Sequence, residues 1–379
     1  MTGLAAPQLS RADDSWLTEW RRTVDWPIIV ASAVLLSTGL ILSLAAGPPT
    51  AERIGLADPY HFVWRQAAFA AGAAVLLVTL SLLDRQWVRR AAAFVFLVTF
   101  TLMAFILLFG DEVKGAQRSV SLAGFSLQPS EMAKPAVIVL TGWLLAQRNL
   151  FPQGPWAAVA FAFYAVTMGL LLMQPDVGQS ALLSAAFIIT FFVSGLPARW
   201  AAAFAGGGVA LAGALYGLLP HVRYRVNSFL NPSAYDTYQI DKAVEAISRG
   251  GLLGVGPGEG TVKSSLPDAY TDFIFAVMVE EYGLIAALAL IGLFAFISIR
   301  GVLLAARNGD PYVRAAAVGL FALFGLQAVI NIGVNVALIP PKGMTLPFIS
   351  YGGSSLAGTA ITLGFALALI RRPLSMRSY

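Results

Sequence analysis

The chain has 379 residues, of which 58% are hydrophobic and 12% charged, about half the charged fraction that is usual in a soluble domain. It contains no cysteine, which excludes a disulfide framework, thiolate catalysis and cysteine-ligated zinc. The formal net charge of +5 comes from scattered loop arginines rather than a basic stripe, so no nucleic-acid partner is predicted.

Ten apolar segments can be membrane spans, because a helix that crosses a bilayer needs about 20 mostly apolar residues. They are 27–46, 64–83, 91–110, 131–147, 156–173, 178–195, 199–219, 272–298, 313–338 and 355–370. The predicted fold class is therefore all-α, a polytopic integral membrane protein with about ten transmembrane helices. A large periplasmic loop, 220–271, separates helices 7 and 8. The predicted domains are a cytoplasmic segment 1–26, one transmembrane domain 27–370 and a cytoplasmic tail 371–379.

Basic residues are divided unevenly between the two sides of the membrane. With both termini in the cytoplasm, the cytoplasmic segments contain fourteen arginines, whereas the short opposite loops contain only Arg53, Lys114, Arg118 and Lys342. Positive residues favour the cytoplasmic side, so this orientation is predicted for a multi-pass protein of the bacterial inner membrane. All five lysines lie in outward loops or at outward span ends, so any chemistry is predicted to face outward.

Charged residues surround the start of the fourth span. Pro129 begins a predicted helix, and Glu131 and Lys134 have the i, i+3 spacing of a helical ion pair. An internal salt bridge at the mouth of the span and a role in lining a substrate cavity both stay open. A similar Gln174-Pro175-Asp176 run precedes the sixth span, where Asp176 is predicted to be a turn and helix cap.

The 220–271 loop is longer than a connection requires, and structureless loops beyond about 15 residues usually have a function. Residues 240–247 repeat with the period of an amphipathic helix, which ends at Gly250-Gly251 and is predicted to rest on the membrane surface. The glycines at 254, 256, 258 and 260 lack the spacing of a nucleotide-binding loop. They predict flexible backbone close to a ligand.

Asp272 opens the eighth predicted span, in front of three large apolar residues. One interpretation is a helix N-cap. The other is a carboxylate at the boundary of water and lipid, where the helix N-terminus favours its ionised form and the apolar neighbours disfavour it, as suits a general base. Glu280 and Glu281 lie two turns deeper in the same span. Because buried acids are costly, one of them is predicted to have a structural partner on another helix.

The segment 340–355 before the last span contains three prolines and three glycines, which predicts a re-entrant segment lining a cavity. The outward loops also carry more positive charge than Asp272 needs. Surplus positive charge beside lipid suits an anionic amphiphile such as a lipid-linked pyrophosphate.

Six segments resemble, in order, the SEDS family (shape, elongation, division and sporulation). They are KGAQR at 114–118, QPSEMAK at 128–134, QPDVGQ at 174–179, the stretch from YQIDKA to GPGEGTVK at 238–263, PDAYTDFIFAVMVEEYG at 267–283 and PKGMTLPFISYGGSS at 341–355. GPGEGTVK and LPDAYTDFIF are more similar to the alphaproteobacterial FtsW branch of the family than to its RodA branch. Ser119 and Tyr270 depart from the family, which often has Trp and His there, and this weakens any detailed statement about substrate packing.

The resemblance implies a peptidoglycan glycosyltransferase that polymerises lipid II into glycan strands at the outer membrane face, for septal synthesis in cell division. A RodA-like role in elongation is the alternative. The implied partners are lipid II, undecaprenyl-pyrophosphate-linked glycan, a class B penicillin-binding protein (an FtsI-like transpeptidase), other divisome proteins and membrane lipid. A divalent cation, Mg²⁺ or Mn²⁺, is left open as a cofactor.

The resemblance implies that Asp272 is the catalytic carboxylate, which we expect to act as the general base of an inverting transfer. The predicted substrate-binding residues are Lys114, Arg118, Glu131, Lys134, Arg223, Lys263 and Lys342. The predicted structural or cavity residues are Gln128, Asp176, Glu280, Glu281, Ser350, Gly352 and Gly353. A lipid II flippase, favoured by the proline-broken helices, and a non-catalytic division scaffold remain as rival functions.

Overall fold

The computed structural model describes residues 16–109, 119–122, 125–195, 197–218, 220–231, 234, 237–340 and 343–371. The elements are α1 (Trp16–Thr23), α2 (Trp26–Arg53), α3 (His61–Ser81), α4 (Arg85–Phe109), β1 (Val120–Leu122), β2 (Phe125–Leu127), α5 (Pro129–Leu150), α6 (Trp156–Met173), α7 (Val177–Val193), α8 (Ala198–Leu218), α9 (Pro220–Leu230), α10 (Tyr238–Gly250), α11 (Val262–Ser265), α12 (Ile274–Ala306), α13 (Pro311–Asn335) and α14 (Gly353–Ile370). Within these ranges β1 and β2 pair as one antiparallel hairpin, with Val120 opposite Leu127.

A helix corresponds to each of the ten predicted spans. In the described part of the chain, seven helices are by themselves long and apolar enough to cross a membrane: α2, α3, α4, α6, α12, α13 and α14. The other three are α5, whose first turns contain charged residues, α7 with 17 residues, and α8, which forms with α9 a pair bent by 103°. The predicted fold class, an all-α polytopic membrane protein, is confirmed.

Helix α13 lies at the centre of the bundle, in contact with α5, α7, α12 and α14. Its approach to α5 is close because Gly142 has no side chain: a Cβ there would lie 2.8 Å from the backbone nitrogen of Ala316. Small residues commonly permit such close backbone approach between membrane helices. Gln327, Asn331 and Asn335 of α13 are buried among the neighbouring elements.

The 220–271 loop contains α9, α10 and α11, so it is more helical than its sequence predicted. The helix predicted over 240–247 is confirmed as α10, which ends at Gly250. Its buried face consists of small residues, Ala243, Ala246 and Gly250, and packs on α12, whereas Val244 of the predicted apolar stripe is 40% exposed. The buried face of α10 contacts protein, and that the helix also rests on the membrane surface stays a prediction.

Helix α12 is broken at Gly283, where φ is 78° and ψ is 177°. The loop after α10 binds this break through its backbone: Val255 N donates to Glu280 O over 2.9 Å, and Gly256 N donates to Glu281 O over 3.1 Å. A Cβ on Gly254 would overlap the carbonyl of Glu281. Gly254 therefore permits backbone-to-backbone packing, which corrects at this position the prediction of flexible backbone. That the glycine run lies close to a ligand stays a prediction.

Candidate active site

Asp272 lies in the turn that precedes α12 and is half-buried. The helix begins at Ile274, with Phe273 at the N-cap position and no side-chain capping bond. The prediction that Asp272 stands in the first turn of the helix is therefore wrong, because the helix begins two residues later. The alternative prediction of Asp272 as the N-cap is also wrong, because Phe273 occupies that position. Its carboxylate projects from a turn rather than from the helix.

The backbone of this turn is bound by the segment that leads into α14. Tyr351 N donates to Tyr270 O over 3.0 Å, and the Ser350 hydroxyl donates to Thr271 O over 2.5 Å. The carbonyls of both residues before Asp272 thus accept hydrogen bonds from one short segment. Ser350, predicted as a structural residue, lies beside the Asp272 turn.

Two buried amides of α13 bind the carbonyl of Asp272 itself. Asn331 Nδ2 and Asn335 Nδ2 each donate to Asp272 O over 2.9 Å. The Asn335 side chain also accepts from Ala276 N over 3.1 Å. The two asparagines are 1% and 0% exposed. The turn that carries Asp272 is consequently fixed through three consecutive carbonyl groups.

Aromatic rings surround Tyr270, two residues before Asp272. Its ring centroid lies 4.7 Å from that of Phe62 in α3 and 5.3 Å from that of Tyr351. Burial raises the pKa of the Tyr270 hydroxyl above its ordinary value, and the negative charge of Asp268 raises it further. Tyr270 is therefore neutral at physiological pH.

The segment 343–351 has no regular secondary structure, yet its apolar side chains are buried. It packs closely on α2, where a Cβ on Gly39 would lie 2.5 Å from Phe348 O. Irregular backbone at membrane depth is tolerated where it is buried in protein. Gly352 is the N-cap of α14 with φ 153°, and a Cβ on Gly353 would lie 3.0 Å from the Phe69 ring. That this segment lines a cavity stays a prediction.

The predicted ion pair of Glu131 and Lys134 is confirmed, with 3.0 Å between Nζ and Oε2. Lys134 Nζ also donates to Gln179 Oε1 over 2.5 Å and to Gln327 Oε1 over 3.3 Å, while Gln179 Nε2 donates to Glu131. Lys134 is 2% exposed and Glu131 is 5% exposed. Four helix-borne polar side chains thus form one buried network.

This network is connected to the Asp272 turn. Gln327 Nε2 donates to Thr345 O over 3.2 Å, and the preceding carbonyl, Met344 O, accepts from Asn331 Nδ2 over 2.6 Å. Since Asn331 also binds Asp272 O, the structure brings the two predicted charged sites together through one segment.

The sequence interpretation missed the three α13 amides, Gln327, Asn331 and Asn335. Their spacing of four residues within an apolar span was the available signal, because it places all three on one helix face.

Glu280, Glu281 and Lys263 form a separate buried cluster. The Glu280 carboxylate accepts from Thr261 N and Val262 N over 2.8 Å and from Lys263 N over 3.0 Å, at the start of α11. Lys263 Nζ forms an ion pair with Glu281. The prediction that one of the two acids has a structural partner is confirmed. Lys263 is 5% exposed, and its ammonium group pairs with Glu281. The structure therefore does not place it at an exposed anion-binding site, where it was predicted to bind substrate.

Asp176 caps α7 as predicted, because its side chain accepts from Gln179 N over 3.3 Å. Gln128 Nε2 donates a hydrogen bond to Asp176 Oδ2 over 3.2 Å. The backbone nitrogen of Gln128 donates a second one to Ser354 Oγ over 2.9 Å. These bonds join the starts of α5, α7 and α14 on the same side of the bundle as Asp272.

Arg223 is exposed on α9, and its guanidinium donates to Gly217 O over 2.6 Å at the end of α8. The structure gives it no contact with the Asp272 turn among the contacts of the described residues. Lys114, Arg118 and Lys342 lie outside the described residues.

The described residues contain no group of three or more histidine, aspartate or glutamate side chains that could hold a metal ion. The divalent cation stays a prediction, and no step proposed below uses one.

Residues 26–373 match the FtsW/RodA/SpoVE family, described as cell cycle proteins. The chain belongs to this family. Among its relatives, the probable peptidoglycan glycosyltransferase FtsW of Caulobacter vibrioides is 47% identical over 374 residues, covering 98% of this chain and 95% of the relative. The protein of the same name from Geobacter metallireducens is 34% identical, covering 92% and 95%. The predicted resemblance to SEDS proteins of the alphaproteobacterial FtsW type is confirmed.

Two solved structures have the same fold as this chain. A chain from a peptidoglycan synthase complex, studied for its coordination of polymerization and crosslinking, superposes with a TM-score of 0.75 at 27% identity. RodA, the rod shape determining protein of Thermus thermophilus, superposes with a TM-score of 0.66 at 26% identity. Each match covers 93% of this chain and 98% of the other.

Proposed function

We propose that this chain is a peptidoglycan glycosyltransferase that polymerises lipid II for septal wall synthesis. The observation that carries the proposal is its 47% identity, over 98% of its length, to a probable peptidoglycan glycosyltransferase FtsW. The anchored turn that presents Asp272 supports the same conclusion, because a general base must be held at a defined position.

The proposed reaction is an inverting transfer. The 4-hydroxyl oxygen of the acceptor sugar forms a bond to the anomeric carbon of the donor, and its proton passes to the Asp272 carboxylate. The bond between the anomeric carbon and the pyrophosphate oxygen breaks, and the lipid pyrophosphate leaves with the electron pair. Attack from the face opposite the leaving group inverts the anomeric carbon. The prenyl chains hold both substrates in the membrane and so limit their orientations.

The leaving pyrophosphate needs positive charge, and the buried lysines are poorly placed to supply it. Lys134 and Lys263 each pair with a buried carboxylate, and removing a cation from such a pair leaves an uncompensated charge. We therefore assign both lysines to the support of the site. Arg118, Lys114 and Lys342 remain the proposed pyrophosphate-binding residues.

The test is glycan synthesis by purified protein from lipid II, with and without a class B penicillin-binding protein. Asp272→Asn is expected to lower the rate by about 10²–10⁴-fold, the usual contribution of general acid–base catalysis. Asp268→Asn is the matched control, because it makes the same change four residues earlier. Asp268 has φ 52°, a conformation that asparagine tolerates. Normal polymerisation by Asp272→Asn, or an equal loss in both variants, would remove Asp272 from the mechanism.

We also propose that the protein lies in the bacterial inner membrane with both termini in the cytoplasm, and at the septum. The uneven distribution of arginine supports the orientation. A class B penicillin-binding protein is the proposed partner, supported by the match to a chain from a complex that polymerizes and crosslinks peptidoglycan.

A lipid II flippase is the second candidate, and the break of α12 at Gly283 favours it, because transporters use discontinuous helices at their binding sites. In vesicles with lipid II supplied on the outer face alone, the proposed enzyme makes glycan strands. Movement of lipid II between leaflets without polymer would instead support the flippase.

A further inference from the structure

The carbonyl of Asp272 and the N–H of Ala276 have the i and i+4 spacing of a helical hydrogen bond. In a helix that began one turn earlier, these two groups would bind each other. Here Ala276 N donates instead to Phe273 O and to Asn335 Oδ1, each over 3.1 Å. Asn335 Nδ2 donates to Asp272 O over 2.9 Å. The side-chain amide of Asn335 therefore stands between the two groups and binds both.

This insertion explains why α12 begins at Ile274. A side chain that takes both partners of an i to i+4 bond stops the helix from extending toward its N-terminus. The backbone groups could satisfy each other without any asparagine, so satisfaction of buried hydrogen bonds alone does not require Asn335. What Asn335 adds is the conformation of the turn, with Asp272 outside the helix.

Asn331 reinforces the same arrangement one turn earlier on α13. Its Nδ2 gives Asp272 O a second hydrogen bond over 2.9 Å and also binds Met344 O over 2.6 Å. Asn335 Nδ2 in turn donates to Asn331 O over 2.9 Å. Both asparagines are buried residues of α13, and both bind Asp272 O. The position of the Asp272 carbonyl is therefore set by a helix other than α12.

We propose that Asn335, supported by Asn331, is a positioning residue that holds Asp272 outside α12 in the orientation needed for proton transfer. This inference rests on the proposed function of Asp272. Removing the amide lets Asp272 O and Ala276 N pair directly, which draws Asp272 into the first turn of the helix and turns its carboxylate away from the acceptor sugar. Neither asparagine contacts substrate in this proposal.

The experiment compares glycan polymerisation kinetics of Asn335→Leu with those of wild type. Leucine has a similar size and makes neither hydrogen bond. We expect kcat to fall by about 10²-fold, since a displacement of about 1 Å can cost that much, and KM for lipid II to stay within about threefold. The acid limb of the pH profile of kcat is expected to move to lower pH, because Asp272 then stands closer to the helix N-terminus, which stabilises the carboxylate form.

Two variants separate positioning from folding. Asn331→Leu removes one of the two amides that bind Asp272 O and leaves Asn335 between Asp272 O and Ala276 N, so a smaller fall in kcat is expected. Thr362→Val is the control: it removes a buried hydroxyl of α14 that donates to Gly358 O over 2.7 Å, away from the turn. It is expected to change thermal stability without changing kcat or the pH profile.

Three outcomes would overturn the proposal. They are a wild-type kcat in Asn335→Leu, an acid limb that does not move, and a loss of kcat in Thr362→Val equal to that in Asn335→Leu. Asp272→Asn is measured in parallel. If Asp272→Asn is active, the proposed base is wrong. If it is inactive while Asn335→Leu is fully active, only the positioning role is wrong.

Discussion

Replacing Lys134 by methionine tests how far the buried polar network stabilises the fold. Methionine retains an unbranched side chain and removes the ammonium group, which leaves the 5% exposed Glu131 carboxylate without its cation. Breaking a buried ion pair in this way costs about 3–5 kcal/mol. Glu131 keeps the hydrogen bond from Gln179, so we expect the lower end, about 3 kcal/mol, or roughly a hundredfold in the unfolding equilibrium.

The assay is equilibrium unfolding in mixed micelles, arranged as a double-mutant cycle with Glu131→Gln. The double variant is expected to be more stable than Lys134→Met alone, because an uncharged glutamine needs no cation. The matched control is Lys242→Met. Lys242 has the same i, i+3 spacing to Glu245, with 2.7 Å between Nζ and Oε2, but lies on the exposed surface of α10.

Little change in stability is expected for Lys242→Met, since exposed ion pairs contribute little. An equal loss of stability in the two lysine variants, or additive effects in the cycle, would refute the reasoning about burial.

The break of α12 and the orientation of the chain give two further predictions. Gly283→Ala should destabilise the protein by about 1–3 kcal/mol, because alanine is strained at φ 78° and its Cβ would meet Gly254 N. Gly292→Ala on the same helix, with no heavy atom within 4 Å of its Cβ, should be neutral or stabilising in the same unfolding assay, and a similar loss in both would contradict the explanation. Because the chain has no cysteine, Ser248→Cys in α10 and Gly309→Cys before α13 report topology directly. An impermeant thiol reagent applied outside is expected to label the first only, and labelling of the second alone would invert the proposed orientation.

Much of the fold could be predicted from local composition. Apolar segments of sufficient length gave ten helices in the observed order, because lipid requires each span to satisfy its own backbone hydrogen bonds. The ion pair of Glu131 with Lys134 and the capping role of Asp176 were also predictable, because their partners lie within one helical turn.

The partners of the buried charges could not be predicted in this way. Lys263 had the features of an anion-binding loop residue, yet it pairs with Glu281, 18 residues along the chain. The glycines after α10 had the features of a flexible loop, yet Gly254 packs on the break at Gly283. Both depend on which elements α12 meets in three dimensions.

The sequence by itself determined the class of protein, the order of its helices and the presence of an acid at the start of the eighth span. Each of these depends on neighbouring residues or on the motifs of the family. Only the tertiary structure decided that Asp272 stands outside the helix, because the amide that separates it from Ala276 comes from Asn335, 63 residues further along the chain. A buried backbone group must form a hydrogen bond, but its partner depends on which helices pack against it. The neighbouring residues in the sequence do not determine that partner.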